Sequence, residues 1–463
     1  MGTRRRRWVR LNALCMVIVL CSACAGKLPP LDTSGPSMTL ASDEAVLWEQ
    51  AAREHKKLSA SLNVLRDPML EDYLNDVAHR LIPAAAQEAG IMPSVSVLIN
   101  PALNAFAYPT GAIYVHSGLL ARLENEAQLA TVLGHEIGHI VYRHAIRYLR
   151  QERSKDLWER VAIVTTPLVL GPLLAPLGVT VSSGVNPAVL LQRPSVEDIL
   201  REQALDTSSA LVTRPRSTAG VDAMTALYAR TRPPLALLAS VHGYNATLME
   251  EADRFAVKAL ARAGYDPEAA DRTLAHLSGV AHAHTEQEPF WWGQPARYEA
   301  RRRLVRAAIE ALPPAARVPQ GQQPGVDLYQ QRTRILVRDN AMAELKLGRT
   351  EEAITQLGRA LRLQPRDPIA LYDLGKAYAT KASEADELYK AVEAYTHAIQ
   401  IDAAFADAYR ELALTYAKLG EPERAAEAKQ VYVKLRGAVG NLDLPDIGAA
   451  TRYELAAPQR RKD

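Results

Sequence analysis

Between Asn125 and His144 the chain reads NEAQLATVLGHEIGHIVYRH, and the pair His135 and His139, with Glu136 between them, limits what can be built here more than any other feature. On an α-helix, residues four apart lie one turn apart on the same face, so both imidazoles can reach one metal ion. Two such histidines with a glutamate directly after the first make the His-Glu-x-x-His pattern of peptide-hydrolysing zinc sites, in which the carboxylate takes a proton from the attacking water. The segment has what a helix needs. Asn125 is a good N-cap, Glu126 stands in the first turn, and Leu129, Val132, Leu133, Ile137, Ile140 and Val141 recur at helical spacing with no proline among them. His135 and His139 are therefore candidate ligands for one zinc ion per chain, and Glu136 is the candidate general base. A metzincin would need glycine in place of Tyr142 and histidine in place of Ala145, which excludes that group; His144, one residue short, reads as structural.

A third donor has to come from elsewhere in the chain. Leu248 to Ala256 (LMEEADRFA) is a helical stretch, acidic at its start and running to Gly264, and is the place to expect it. Upstream, Asp43 to Ala85 reads as two helices broken near Asp67-Pro68, and Val95 to Ile99 as a strand. Asn104 to Tyr108, the turn Pro109-Thr110-Gly111 and Ala112 to His116 read as a β-hairpin. An exposed edge at Asn104, Ala105 and Phe106 beside the metal could pair with an extended substrate backbone; the alternative is an ordinary buried hairpin.

The first 24 residues carry five arginines (Arg4 to Arg7 and Arg10), an apolar run from Ala13 to Leu20 and then Cys21-Ser22-Ala23-Cys24, the pattern of a bacterial export signal. All three cysteines lie in this segment, so the remainder has none to pair. Ser22 and Ala23 before Cys24 resemble a lipobox, in which the cysteine is the acylated first residue; Cys21 stands where an aliphatic residue is usual. Lipoprotein, plain cleaved signal and uncleaved anchor stay open at this point. Ala25 after the cysteine is, by that resemblance, the outer-membrane sorting choice. Without the arginines of the signal the net charge moves from +3 to about −2, and nothing basic is left to suggest nucleic acid. Residues 25–42 form a polar tether. Residues 161–192 contain no charge but several prolines and glycines, so a lid or pocket wall, a lipid-touching segment and a true span are all open.

Residues 313–333, proline-rich at their start, read as a linker between a domain over 43–312 and repeats over 334–436, with a tail from 437 to 463. The repeat period is about 34 residues: Ala353, Leu357 and Ala360 recur as Ala391, Tyr395 and Ala398, and Leu371, Leu374 and Tyr378 as Tyr409, Leu412 and Tyr416. This resembles three tetratricopeptide repeats, paired helices that stack into a groove and are expected to make their own core.

Asn104 to Ala107 (NAFA), Gly111 to Val115 (GAIYV), Gly118-Leu119-Leu120, Glu126 to Ala130 (EAQLA), His135 to His139 (HEIGH) and Glu251-Ala252-Asp253 together resemble the zinc metallopeptidase family of the CAAX prenyl protease and HtpX, most closely its periplasmic branch with C-terminal repeats. The resemblance implies a mostly helical α+β, zincin-like gluzincin domain followed by an α-solenoid. It implies two histidines and a glutamate on zinc, with a supporting aspartate four residues after that glutamate. Asp253 takes the aspartate's place, but four residues before it stands Met249; Glu250, one residue on, is the expected third ligand. Gln294-Pro295 replaces the family's His-Pro. The activity so implied is proteolysis of misfolded or misassembled polypeptides in the bacterial envelope. The repeats would recruit substrate or outer-membrane assembly proteins, and Cys24 would carry a lipid anchor facing the periplasm. The alternative is a non-proteolytic chaperone or repeat scaffold with a degenerate metal site, which Met249 keeps open.

Overall fold

The computed structural model describes residues 28–31, 40–60, 64–151, 244, 246–283, 295–317 and 326–436. The export segment with Cys24, the uncharged stretch 161–192 and the tail 437–463 lie outside the described residues. Among the described residues no helix is long and apolar enough to cross a membrane.

Two helices open the fold, α1 (Ser42–Ser59) and α2 (Pro68–Leu81), with the break at the expected place. Asp67 caps α2 by accepting from the Leu70 amide, and Pro68 occupies the first turn, where its missing N–H costs nothing. A one-turn helix, α3 (Ala84–Glu88), leads into β1 (Ser94–Leu98). β2 (Ala105–Ala107) and β3 (Ala112–His116) form the hairpin, and β1 pairs parallel with β3, giving the order β1-β3-β2. The turn needs Gly111: its φ is +105°, and a Cβ there would lie 2.8 Å from the Met92 carbonyl oxygen. All of β2 and β3 is buried: after α4 (Ser117–Arg122), α5 (Glu126–Val141) packs on the face of Ala105, Ala107, Ile113 and Val115, while Phe106, Ala112 and Tyr114 on the other face cluster with Leu47 and Ala51 of α1. After α5 come α6 (Ala246–Arg262), α7 (Ala269–Ala283) and α8 (Pro295–Glu310).

Glu126, in the first turn of α5, is buried and draws three elements together. It accepts from the Tyr73 hydroxyl at 2.8 Å, the Tyr265 hydroxyl at 2.5 Å and Arg80 at 2.6 Å. The helix N-terminus favours the negative charge, and the three donors satisfy it.

The remaining helices form three antiparallel pairs: α9 (Val326–Lys346) with α10 (Thr350–Leu363), α11 (Pro368–Lys381) with α12 (Ala385–Ile401), and α13 (Ala406–Lys418) with α14 (Pro422–Arg436). Small residues carry the stacking, as at Gly375, where any Cβ would strike the Tyr395 ring.

Two expected boundaries differ. The tether is not free, since Leu31 is buried in the main core. The linker ends early: residues 326–333 are the first turns of α9, and Tyr329, Leu336 and Val337 belong to the core of the first domain. Polar contacts seal the junction. Arg122 pairs with Glu344 at 2.9 Å, both side chains at most 3% exposed, while Asn340 accepts from Ser117 and Arg359 donates to the carbonyls of Ala121 and Leu123. The repeats therefore share a core with the first domain, because the apolar face of α9 is longer than its partner α10 can cover.

Ending the chain at residue 325 should consequently destabilise the first domain. Burying a large apolar side chain is worth roughly 1.5–3 kcal/mol and orphaning a buried ion-pair partner costs about 3–5 kcal/mol. Denaturant unfolding of chains ending at 325 and at 346 should show the longer one close to the full chain; equal midpoints for the two would refute a shared core.

Candidate metal centre

From Gln128 to Val141 every residue of α5 is buried, which explains why the helix is apolar on most faces. It crosses α6 at close range, and glycine and alanine make this possible. A Cβ on Gly138 would lie 3.0 Å from the Ala252 Cα and 3.1 Å from the Phe255 Cβ, and one on Gly134 would lie 3.2 Å from the Ala256 Cα. That approach brings Asp253 of α6 to His135.

His135 Nδ1 lies 2.8 Å from Asp253 Oδ1, and Asp253 is held from the other side by Arg301 of α8, at 2.8 and 2.7 Å. His139 Nδ1 lies 2.7 Å from His144 Nδ1, and His144 Nε2 lies 3.1 Å from Glu251, which accepts two hydrogen bonds from Arg147 at 2.5 and 3.0 Å. The two inner nitrogens, His135 Nε2 and His139 Nε2, are 3.0 Å apart. Two imidazoles sharing a tetrahedral zinc at about 2.05 Å each would have their nitrogens about 3.3 Å apart. The pair as folded is within a few tenths of an ångström of that spacing.

Burial lowers the pKa of all three histidines. For His135 the Asp253 carboxylate opposes the effect; for His139 the neighbouring His135 and His144 add to it; His144 falls to about 4. All three are neutral at neutral pH, the state in which imidazole binds a metal. Glu251 moves to about 2 because His144 and Arg147 donate to it. Burial would raise Asp253, but Arg301 outweighs it and the carboxyl stays ionised.

Glu136, the residue after His135 on α5, is buried (3% exposed). Its charge acts on Tyr244, whose phenol is pushed up first by burial and then by Glu136. The Tyr244 ring stacks on His139 with centroids 4.2 Å apart.

Not every expected residue comes to the centre. Glu250 sits 3.5 Å from Arg254 on the same helix, its side chain 32% exposed, and is not brought to the imidazoles. Helical phase separates the two candidates: Met249, four residues before Asp253, lies about 40° from it around the helix, and Glu250, three before, about 60° to the other side, toward Arg254. Met249 packs, partly buried, against the cluster of Leu248, Tyr244, Tyr108 and Tyr114. Among the described residues no group of three or more His, Cys, Asp or Glu side chains is gathered for a metal. The residues present thus fit a zinc ion with two of the three protein donors of a catalytic site. Ala105 and Phe106 lie on the terminal strand of the sheet and Asn104 directly precedes it, but all three are buried, and the side-chain oxygen of Asn104 has no hydrogen-bond partner among the described residues.

Several residues of the centre carry no advance signal. Arg301 is one of five arginines on α8. Arg143, at the end of α5, adopts φ +56°, and its buried guanidinium is clamped by Glu44 of α1 through two hydrogen bonds, one of 2.7 Å and one shorter. This left-handed corner turns the chain so that His144 folds back on His139.

Residues 68–165 match the model of peptidase family M48, and residues 342–381 that of a TPR repeat. The chain thus carries an M48 peptidase domain together with tetratricopeptide repeats. It is 31% identical over 147 residues to the β-barrel assembly-enhancing protease of Yersinia pestis, covering 32% of this chain and 28% of that one. With the protein of that name from Escherichia coli (strain K12) it shares 26% over 253 residues, 55% of this chain and 41% of the other. With the mitochondrial metalloendopeptidase OMA1 of Arabidopsis thaliana it shares 41% over 75 residues, 16% and 15% of the two chains. The chain spans less than two thirds of the length of the curated relatives it matches.

The α5–α6 crossing should not tolerate a branched side chain. Gly138→Val is expected to cost roughly 1–3 kcal/mol through overpacking and to draw Asp253 away from His135. Chemical denaturation reads the first effect, and wild-type stability in the variant would disprove the close contact.

Proposed function

We propose that this chain is an exported zinc metalloendopeptidase that acts on misfolded or misassembled proteins of the bacterial envelope. The observation that carries the reading is the 3.0 Å approach of His135 Nε2 and His139 Nε2, each ring tied through its outer nitrogen. The names of the relatives, a β-barrel assembly-enhancing protease and a metalloendopeptidase, support the substrate class and the reaction. His135 and His139 would hold the zinc. When bound, the ion supplies Lewis-acid polarisation of the scissile carbonyl and makes a water easier to deprotonate. Glu136, one residue from the first ligand, takes the proton from the attacking water and returns it to the leaving amine. Asp253 and Arg301 keep the His135 ring in place. For an extended peptide to pair with β2 near Asn104, Ala105 and Phe106, what now covers that edge would have to move aside, since all three residues are buried. The repeats would bring substrate or assembly proteins to the site, and acylated Cys24 would hold the chain at the outer membrane.

The third donor separates this reading from a second one. Glu250 is the carboxylate nearest in sequence, but to serve it must leave Arg254 and reach across from a position about 60° around α6 from Asp253. Met249 stands where the resemblance places the glutamate, four residues before Asp253, and offers only a thioether, a weak zinc ligand. That one residue favours the alternative, a repeat scaffold or chaperone with a reduced metal site.

Glu136→Gln keeps the shape of the side chain and removes the base. Peptide cleavage should fall at least a hundredfold while zinc content is unchanged. If the unaltered chain cleaves no unfolded outer-membrane protein in the presence of zinc, the scaffold reading takes over. Zinc competition assays resolve the donor: Met249→Glu should tighten retention at least tenfold, and Glu250→Ala should leave it unchanged. Loss of zinc from Glu250→Ala would instead establish Glu250 as the ligand.

A further inference from the structure

The two zinc-facing histidines are supported in different ways. His135 meets a carboxylate directly, whereas His139 meets a second imidazole, and that imidazole meets a carboxylate. The proton on each nitrogen of this second chain follows from its far end. Glu251, held by both terminal nitrogens of Arg147, is ionised and can only accept. His144 must therefore carry its proton on Nε2 and donate it to Glu251, which leaves His144 Nδ1 bare. His139 Nδ1, 2.7 Å away, then has to be the donor, and His139 Nε2 is left with its lone pair exposed toward His135 Nε2. Asp253 forces the same tautomer on His135.

The two lone pairs consequently face each other across 3.0 Å. A direct N–H···N bond between them would need one ring to surrender its Nδ1 proton, setting lone pair against lone pair at Asp253 or His144, or to become cationic, which burial opposes. The arrangement is complementary to a cation between the rings.

We propose that His144 is a positioning residue that fixes the tautomer and orientation of His139 through the chain His139 Nδ1–H to His144 Nδ1, His144 Nε2–H to Glu251, Glu251 to Arg147. The inference rests on the zinc reading above. It assigns a role to a residue that spacing alone makes structural. It also explains the left-handed backbone at Arg143 and the Glu44 clamp that holds it, since an uninterrupted helix would carry residue 144 past His139 instead of back to it.

Zinc retention by the full chain, measured by competition with a chromophoric chelator, tests the relay without relying on activity. His144→Leu removes the acceptor at nearly constant bulk and should weaken zinc binding ten- to a hundredfold. His144→Asn places an amide oxygen close to the former Nδ1 and should recover most of that loss, which a merely structural role would not predict. Glu251→Ala leaves His144 Nε2–H without its acceptor, so several-fold weaker binding is expected; this variant carries the test if His144→Leu does not fold. Unchanged affinity in folded His144→Leu, or in Glu251→Ala, overturns the relay and leaves the zinc reading standing, as does equal loss in His144→Asn and His144→Leu when both are folded. Absence of zinc from the unaltered chain overturns both.

Discussion

The contact on which the centre depends is apolar: the crossing of α5 and α6 at Gly134, Gly138, Ala252 and Ala256. None of these residues can touch a metal or a substrate. Together they remove the side-chain layer that would normally separate two packed helices by 8–10 Å. Once the backbones are this close, a side chain as short as aspartate spans the gap to His135, and Arg301 reaches in from α8 to neutralise it. A buried carboxylate is tolerable only with such partners, because an unpaired one is far too costly to desolvate. Packing, ion pairing and ring orientation are thus links of one dependency, and the crossing comes first.

A similar dependency joins the repeats to the peptidase side. α9 is the first helix of the repeat stack and also a wall of the main core, where Tyr329 donates to the Leu120 carbonyl at 2.7 Å. Arg122 and Glu344 are buried across this junction and further held by Arg349 and by the carbonyls of Pro101 and Gly118. Ser117, which accompanies Asn340 there, directly follows His116 at the end of β3. The repeat stack is accordingly fixed to the same sheet that carries the hairpin beside α5.

How much of this could be read from residues alone depended on whether the determinant was local. The helix at Glu126–Val141, its Asn125 cap, the break before Pro68 and the Gly111 turn follow from capping, periodicity and the backbone freedom of glycine, and all show in a window of a few residues. The repeat pairs were legible because a period of about 34 residues is visible without tertiary information. Arg301, Glu251 and Arg147 were not, since nothing in an arginine-rich helix or an acidic turn says which charge will be buried. The end of the linker was hidden for a related reason: α9 obeys the repeat pattern in its second half, while its first half answers to a core on the other side. His144 failed differently. Its spacing excluded one known arrangement of three ligands, and only the left-handed corner at Arg143 shows that it turns back to a ligand instead.

The support of the centre bears on what Met249 means. A site losing its metal function has no physical need to keep two rings locked in metal-binding tautomers, each by its own carboxylate and arginine, in a region where every unpaired polar group is costly. Both locks are present, at 2.8 Å to Asp253 and 2.7 Å to His144. If the centre were vestigial, replacing those buried ions with apolar side chains would be neutral or stabilising, as is common for buried ion pairs. The two locks are what a cation site at His135 and His139, as proposed above, would require, and Met249, which packs in the neighbouring apolar cluster, touches neither of them.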